Sequence, residues 1–126
     1  MIGATLDKLF SEVIRLTGSD WKGWNHCYTC GVPSYWIYLE CGHYVPRANM
    51  ETRFSIINCK PQCYKCNHTL NGNLEVFRKN LIRDYGIEEV EKLEKLKHST
   101  KKYSRSEIKE LENWCKIEIK RLKNIN

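Results

Sequence analysis

Between residues 5 and 17 the apolar positions Leu6, Leu9, Phe10, Val13 and Leu16 recur at spacings of three and four, the signature of a short amphipathic helix with Thr5 as its N-cap and Gly18 beyond its end. From Trp21 to Leu39 the pattern changes to aromatic and β-branched residues broken by Gly31 and Pro33. Tyr35 to Leu39 read as a strand there. A polar loop follows over Ala48 to Arg53, and Phe54 to Cys59 read as a second strand. Helical spacing returns after Asn73, a candidate N-cap, with Leu74, Phe77, Leu81 and Tyr85 on one face until Gly86. Ile87, Val90, Leu93 and Leu96 mark a further helix. Residues 98–102 form a basic linker, and Ser104 or Ser106 caps a last helix whose stripe is Ile108, Leu111, Cys115, Leu122 and Ile125, interrupted at Glu118. Trp21, Trp24 and Trp36 are expected in the core, with base stacking as the alternative.

The 126 residues allow one domain, divided as an N-terminal helix (1–20), a central module (21–97) and a basic C-terminal helix (98–126). No apolar run approaches the roughly 18 residues of a membrane span, and an intracellular location is expected. The net charge of +6 is unevenly placed: residues 1–91 carry 10 Lys+Arg against 10 Asp+Glu, and residues 92–126 carry 11 against 5. The whole surplus lies in the tail, where Lys101, Lys102 and Arg105 are candidate phosphate contacts. Such an excess favours a polyanionic partner, the bland alternative being a solvated helix face.

Two Cys-x-x-Cys pairs, Cys27/Cys30 and Cys63/Cys66, bracket the segment Cys41-Gly-His43-Tyr-Val-Pro-Arg47. A two-residue gap lets one tight turn aim both sulfurs at the same ion, so two pairs predict one structural Zn²⁺ site. A disulfide framework is disfavoured by the odd count of seven cysteines. Cys41 and Cys59 are either substitute ligands or small core residues.

Cys27-Tyr-Thr-Cys30-Gly, Gly42-His43-Tyr-Val-Pro-Arg47, Thr52-Arg53-Phe54, Gln62-Cys63-x-x-Cys66-Asn67 and Gly72-Asn73 together resemble the phage NinG family, in order and over most of the chain. The resemblance implies an α+β, treble-clef, HNH-like ββα-metal fold. It also implies a metal-dependent endonuclease that cuts branched or single-strand-containing DNA, such as Holliday junctions, in phage recombination. The expected setting is the cytoplasm of a bacterial host, with a homodimer as an attractive arrangement for two symmetric cuts.

In the HNH arrangement a strand-borne histidine takes a proton from the attacking water while one divalent cation, Mg²⁺ or Mn²⁺, neutralises phosphate charge. His43 fits the base, since an imidazole of pKa ~6.5 is available in its neutral form near neutral pH. Asn58 is the expected middle residue, pinning the loop that fixes His43. Asn67 follows the second cysteine pair, where related zinc-stapled nucleases place a cation ligand; the alternative is a turn cap. Position 42 is glycine where many such enzymes carry an acid, and Glu40, two residues back on the same strand face, is the expected substitute. Arg47 and Arg53 are candidate phosphate clamps. The runner-up is a non-catalytic zinc-stabilised nucleic-acid-binding module, and a third reading assigns the last helix's stripe to a protein partner.

Overall fold

The computed structural model describes residues 4–124. It is an α+β chain with two small antiparallel hairpins set among helices. Helix α1 (Ala4–Leu16) leads into β1 (Trp24–His26), which pairs with β2 (Pro33–Tyr35). Strand β3 (Glu40–His43) pairs with β4 (Cys59–Gln62), with the short helix α2 (Met50–Arg53) between them. Then come α3 (Leu74–Tyr85), α4 (Ile87–Lys95) and α5 (Arg105–Asn124).

Two hydrophobic clusters hold these elements. The amphipathic face of α1 buries Leu6, Phe10, Val13 and Ile14 against Phe54, Cys59 of β4, and Ile108 and Cys115 of α5. Phe10 and Phe54 meet edge to face, with centroids 5.6 Å apart, the arrangement their ring quadrupoles favour. The stripe of α5 is therefore used within the chain, on α1, and the third reading loses its basis; Ile125 lies outside the described residues. The second cluster joins Val45 to Phe77 and Leu81 of α3 and to Val90 and Leu93 of α4. Burial of one such side chain stabilises by about 1.5–3 kcal/mol, so these few residues account for much of what locks α3 and α4 to the β3–β4 loop.

Helix ends follow the sequence in part. At α5 the Ser104 hydroxyl accepts from Glu107 N at 3.1 Å while Glu107 Oε1 accepts from Ser104 N at 2.9 Å, a reciprocal capping box. Gly86, at φ +89°, ends α3. Thr5, however, lies inside α1, and Asn73 holds the N-cap position of α3, where its carbonyl accepts from Phe77 N at 2.9 Å, without a side-chain cap: it is left-handed at φ +47°, and its amide turns to Cys66 Sγ.

Three expected elements are corrected. Tyr35 to Leu39 is not a strand, because β1 runs out opposite Tyr35; residues Trp36–Tyr38 tighten into a 3₁₀ turn, leaving Leu39 buried. The loop Ala48 to Arg53 contains α2, capped by Asn49 Oδ1, which accepts from Glu51 N. Phe54 to Asn58 form a turn, and of the expected strand only Cys59 is extended, as the first residue of β4. The turn's apolar residues serve two different cores, Phe54 against α1 and Ile57 against the second cluster, which mimics alternation. Trp21 and Trp24 are 67% and 49% exposed, contrary to a core role, and Trp36 lies under the Arg15 guanidinium.

Candidate metal centre and cleft

The first cysteine pair forms the tip of the β1–β2 hairpin, immediately after His26 and closed by Gly31 at φ +80°. The second follows β4 directly. Tyr28 N donates to Pro61 O at 2.8 Å, which joins the hairpin tip to β4 and brings the pairs together. The sulfurs of Cys27, Cys30, Cys63 and Cys66 all lie within 4.8 Å of one another. In each pair the later backbone N–H points at the earlier sulfur, Cys30 N to Cys27 Sγ and Cys66 N to Cys63 Sγ, both at 3.5 Å. Burial would push the Cys27 thiol up, but the Cys30 N–H and the Thr29 hydroxyl outweigh it and bring it to about 6. Four convergent sulfurs with N–H donors aimed at them are the donor set of a tetrahedral structural metal such as zinc.

A motif residue to which the sequence assigned no role ties this centre to the sheet. Gln62, wholly buried, donates from Nε2 to Gly72 O at 2.9 Å and to Thr29 Oγ1 at 3.1 Å; Thr29 Oγ1 lies 3.3 Å from Cys27 Sγ. Since that hydroxyl already accepts from Gln62, its proton is available to the sulfur. Gln62 Oε1 lies against Gly42, where a Cβ would sit 1.9 Å away. The missing acid at position 42 thus has a steric cause.

His43 ends β3 opposite Cys59. Its Nε2 is 3.1 Å from Arg53 O, and because a carbonyl only accepts, Nε2 carries the proton and Nδ1 keeps the lone pair. Burial moves the His43 pKa below its ordinary value, against the opposing pull of the Arg53 carbonyl and helped by the positive charge of Arg47. Asn58 does not lie on β4 but one residue before it. Its fully buried amide accepts from Val45 N at 2.7 Å and donates to Val45 O and Thr52 O at 3.0 and 3.1 Å, so it pins both ends of the segment beyond His43.

A cleft of about 470 Å³ is lined by Cys41, His43, Arg47, Asn67, His68 and Leu74, among others. Glu40 Oε1 accepts from Asn67 Nδ2 at 2.8 Å and sits 2.7 Å from His68 Nε2. Asn67 therefore keeps its carboxamide oxygen for another partner. His68, which sequence reasoning did not place in the site, joins Glu40; its signal was its position two residues past Cys66. The Tyr64 ring stacks on His68 at 4.5 Å. A larger cleft of about 780 Å³ opens between α1, the first cysteine turn, α3 and α5; Cys59 lines it and His43 does not.

The basic candidates divide. Arg47 and, in the tail, Lys102 and Arg105 are exposed. Lys101 leans on the Tyr103 ring and pairs with Glu107 at 3.6 Å. Arg53 is no clamp. It makes a two-pronged pair with Asp7, Nε to Oδ1 at 2.9 Å and Nη2 to Oδ2, so its charge ties α2 to α1.

A family model described as Bacteriophage Lambda NinG protein matches residues 3–125. The chain belongs to the NinG family. Among curated relatives, Protein ninG of Escherichia phage lambda is 31% identical over 101 residues, which cover 78% of this chain and 48% of that protein. The chain thus spans about half the length of this NinG relative. No solved structure matches. Among the described residues no helix is long and apolar enough to cross a membrane.

Proposed function

We propose that this NinG chain is a metal-dependent, structure-selective endonuclease of the HNH-like, ββα-metal class, with a treble-clef core stapled by zinc on Cys27, Cys30, Cys63 and Cys66. Its substrate is branched DNA such as a Holliday junction in phage recombination, met in the cytoplasm of the host cell. The observation that carries the reading is His43: a neutral imidazole with its proton directed to Arg53 O and its other nitrogen basic, on the same cleft as Asn67 and His68. The hairpin-tip cysteine turn and a second turn leading towards α3 support the treble-clef assignment.

His43 Nδ1 takes the proton of the attacking water, while Asn58 holds Val45 and Thr52 in place so that the ring keeps its orientation. Glu40, Asn67 Oδ1 and His68 are the donors that would hold Mg²⁺ or Mn²⁺, which when bound supplies charge neutralisation at the phosphate and leaving oxygen. Arg47 at the cleft and the exposed Lys102 and Arg105 face the backbone phosphates. Two symmetric cuts would call for a homodimer.

One observation favours a second reading, a non-catalytic nucleic-acid-binding module. Position 42 bears no acid, and Glu40 lies on the strand face opposite His43. Cleavage of a four-way junction and of a linear duplex, with Mg²⁺, Mn²⁺ or EDTA, separates the two. Cutting of the junction that needs the added cation supports the nuclease; tight junction binding with no cutting in either ion supports the module.

A further inference from the structure

The β3–β4 register does more than present His43. Cys41 and His43 are two apart on β3, and Cys59 is directly opposite His43, so all three side chains emerge on one face of the hairpin. Their ligand atoms lie within 4.8 Å of one another. Cys59 is wholly buried, whereas Cys41 and His43 line the cleft. We propose that Cys41, His43 and Cys59 form a second metal site, distinct from the four-cysteine centre, which takes a thiophilic divalent ion such as Zn²⁺ or Co²⁺ with its fourth position open to the cleft.

Two sulfurs and one imidazole select borderline and soft ions over Mg²⁺, and three protein ligands with one open position are the arrangement of an exchangeable rather than a closed structural site. Packing accounts for Cys59 inside the α1 cluster and for Cys41 against its edge, both as small apolar residues. It does not require an imidazole to converge on the two thiols at the cleft. The site also has a consequence. An ion on the His43 nitrogen occupies the lone pair that proton abstraction needs, so metal occupancy and general-base action at His43 exclude each other. That consequence rests on the nuclease reading; the metal site itself does not.

The test uses the full chain carrying one zinc, titrated with Co²⁺ and followed by cobalt–thiolate absorption and by native mass. One Co²⁺ should add beside the zinc, with a thiolate band. Cys41→Ser, at the half-exposed position, should abolish the band and weaken Co²⁺ binding by more than about tenfold while the zinc stays. Cys59→Ala should do the same, and its thermal melt shows whether the buried site still folds. No second ion in the wild type, or an unchanged band in Cys41→Ser, overturns the site. In a cleavage assay in Mg²⁺, added Zn²⁺ should inhibit, and Cys41→Ser should need at least about tenfold more zinc for the same inhibition. Zinc that leaves wild-type cleavage untouched while the band is present would overturn the exclusion. A wild type that cuts under no condition counts against the nuclease reading, and the cobalt titration still decides the site.

Discussion

The two cysteine clusters of this chain differ in what they connect. Cys27, Cys30, Cys63 and Cys66 come from two turns far apart in sequence, with backbone N–H groups and the Thr29 hydroxyl directed at their sulfurs. Closing that cluster links the β1–β2 hairpin to β4. Cys41, His43 and Cys59 sit on neighbouring rungs of a single hairpin that its own ladder already holds, so filling that cluster adds no new tertiary link. A ligand set that bridges distant segments is built to hold the fold. One confined to a hairpin and open to a cleft is free to serve chemistry.

The largest expected effect breaks the first cluster. Binding of a structural zinc is worth on the order of 10–16 kcal/mol, comparable with or larger than the 5–15 kcal/mol total stability of a small domain. Cys63→Ser should therefore release the zinc and abolish the cooperative melt, read by metal analysis and thermal unfolding. A full complement of zinc in that variant would sink the four-cysteine assignment.

Asn58→Ala comes next, because it strips partners from Val45 N, Val45 O and Thr52 O in a fully buried site. Leaving such groups unpaired costs about 1–3 kcal/mol each before relaxation, so a loss of roughly 2–4 kcal/mol in denaturant unfolding is expected, with zinc retained. A loss under about 0.5 kcal/mol would mean that Asn58 does not hold the loop.

The acid limb of the cleavage rate sharpens the second region. Protonated imidazole has no lone pair, and burial lowers the His43 pKa. The single-turnover rate should stay level down through the ordinary imidazole range and fall only below it, by up to tenfold per pH unit. A limb lying above that range would point to another base. Smallest is Arg53→Ala: the Asp7 pair is partly exposed, so about 1 kcal/mol or less of stability should be lost. The salt dependence of DNA binding should not change, whereas a phosphate clamp would flatten it by about one unit of slope.

Much of the scaffold was legible. Spacing alone located α1, α3 with its Gly86 stop, the Ser104 cap and the two cysteine turns, because each depends on local backbone geometry. Phe54 to Cys59 misled because residues that feed two cores on opposite sides look like a strand's alternation. Arg53 misled because its position beside His43 says nothing of Asp7, 46 residues earlier, which claims its charge. Gly42 was visible as a departure from the HNH pattern, but its cause, the buried Gln62 amide across the ladder, needed the register. The meeting of Glu40 with Asn67 and His68 likewise depends on how the second cysteine turn folds back on β3.

The division of labour between the two clusters is tested most directly by His43→Ala, with cleavage rate, zinc content and junction affinity measured on the same preparation. The expected result is one zinc per chain, junction binding within about twofold of wild type, and a cleavage rate lower by about 10²- to 10⁴-fold, the range general-base catalysis contributes. Cleavage at the wild-type rate, or loss of zinc together with activity, would contradict the assignment of chemistry to His43 and of the fold to the four cysteines.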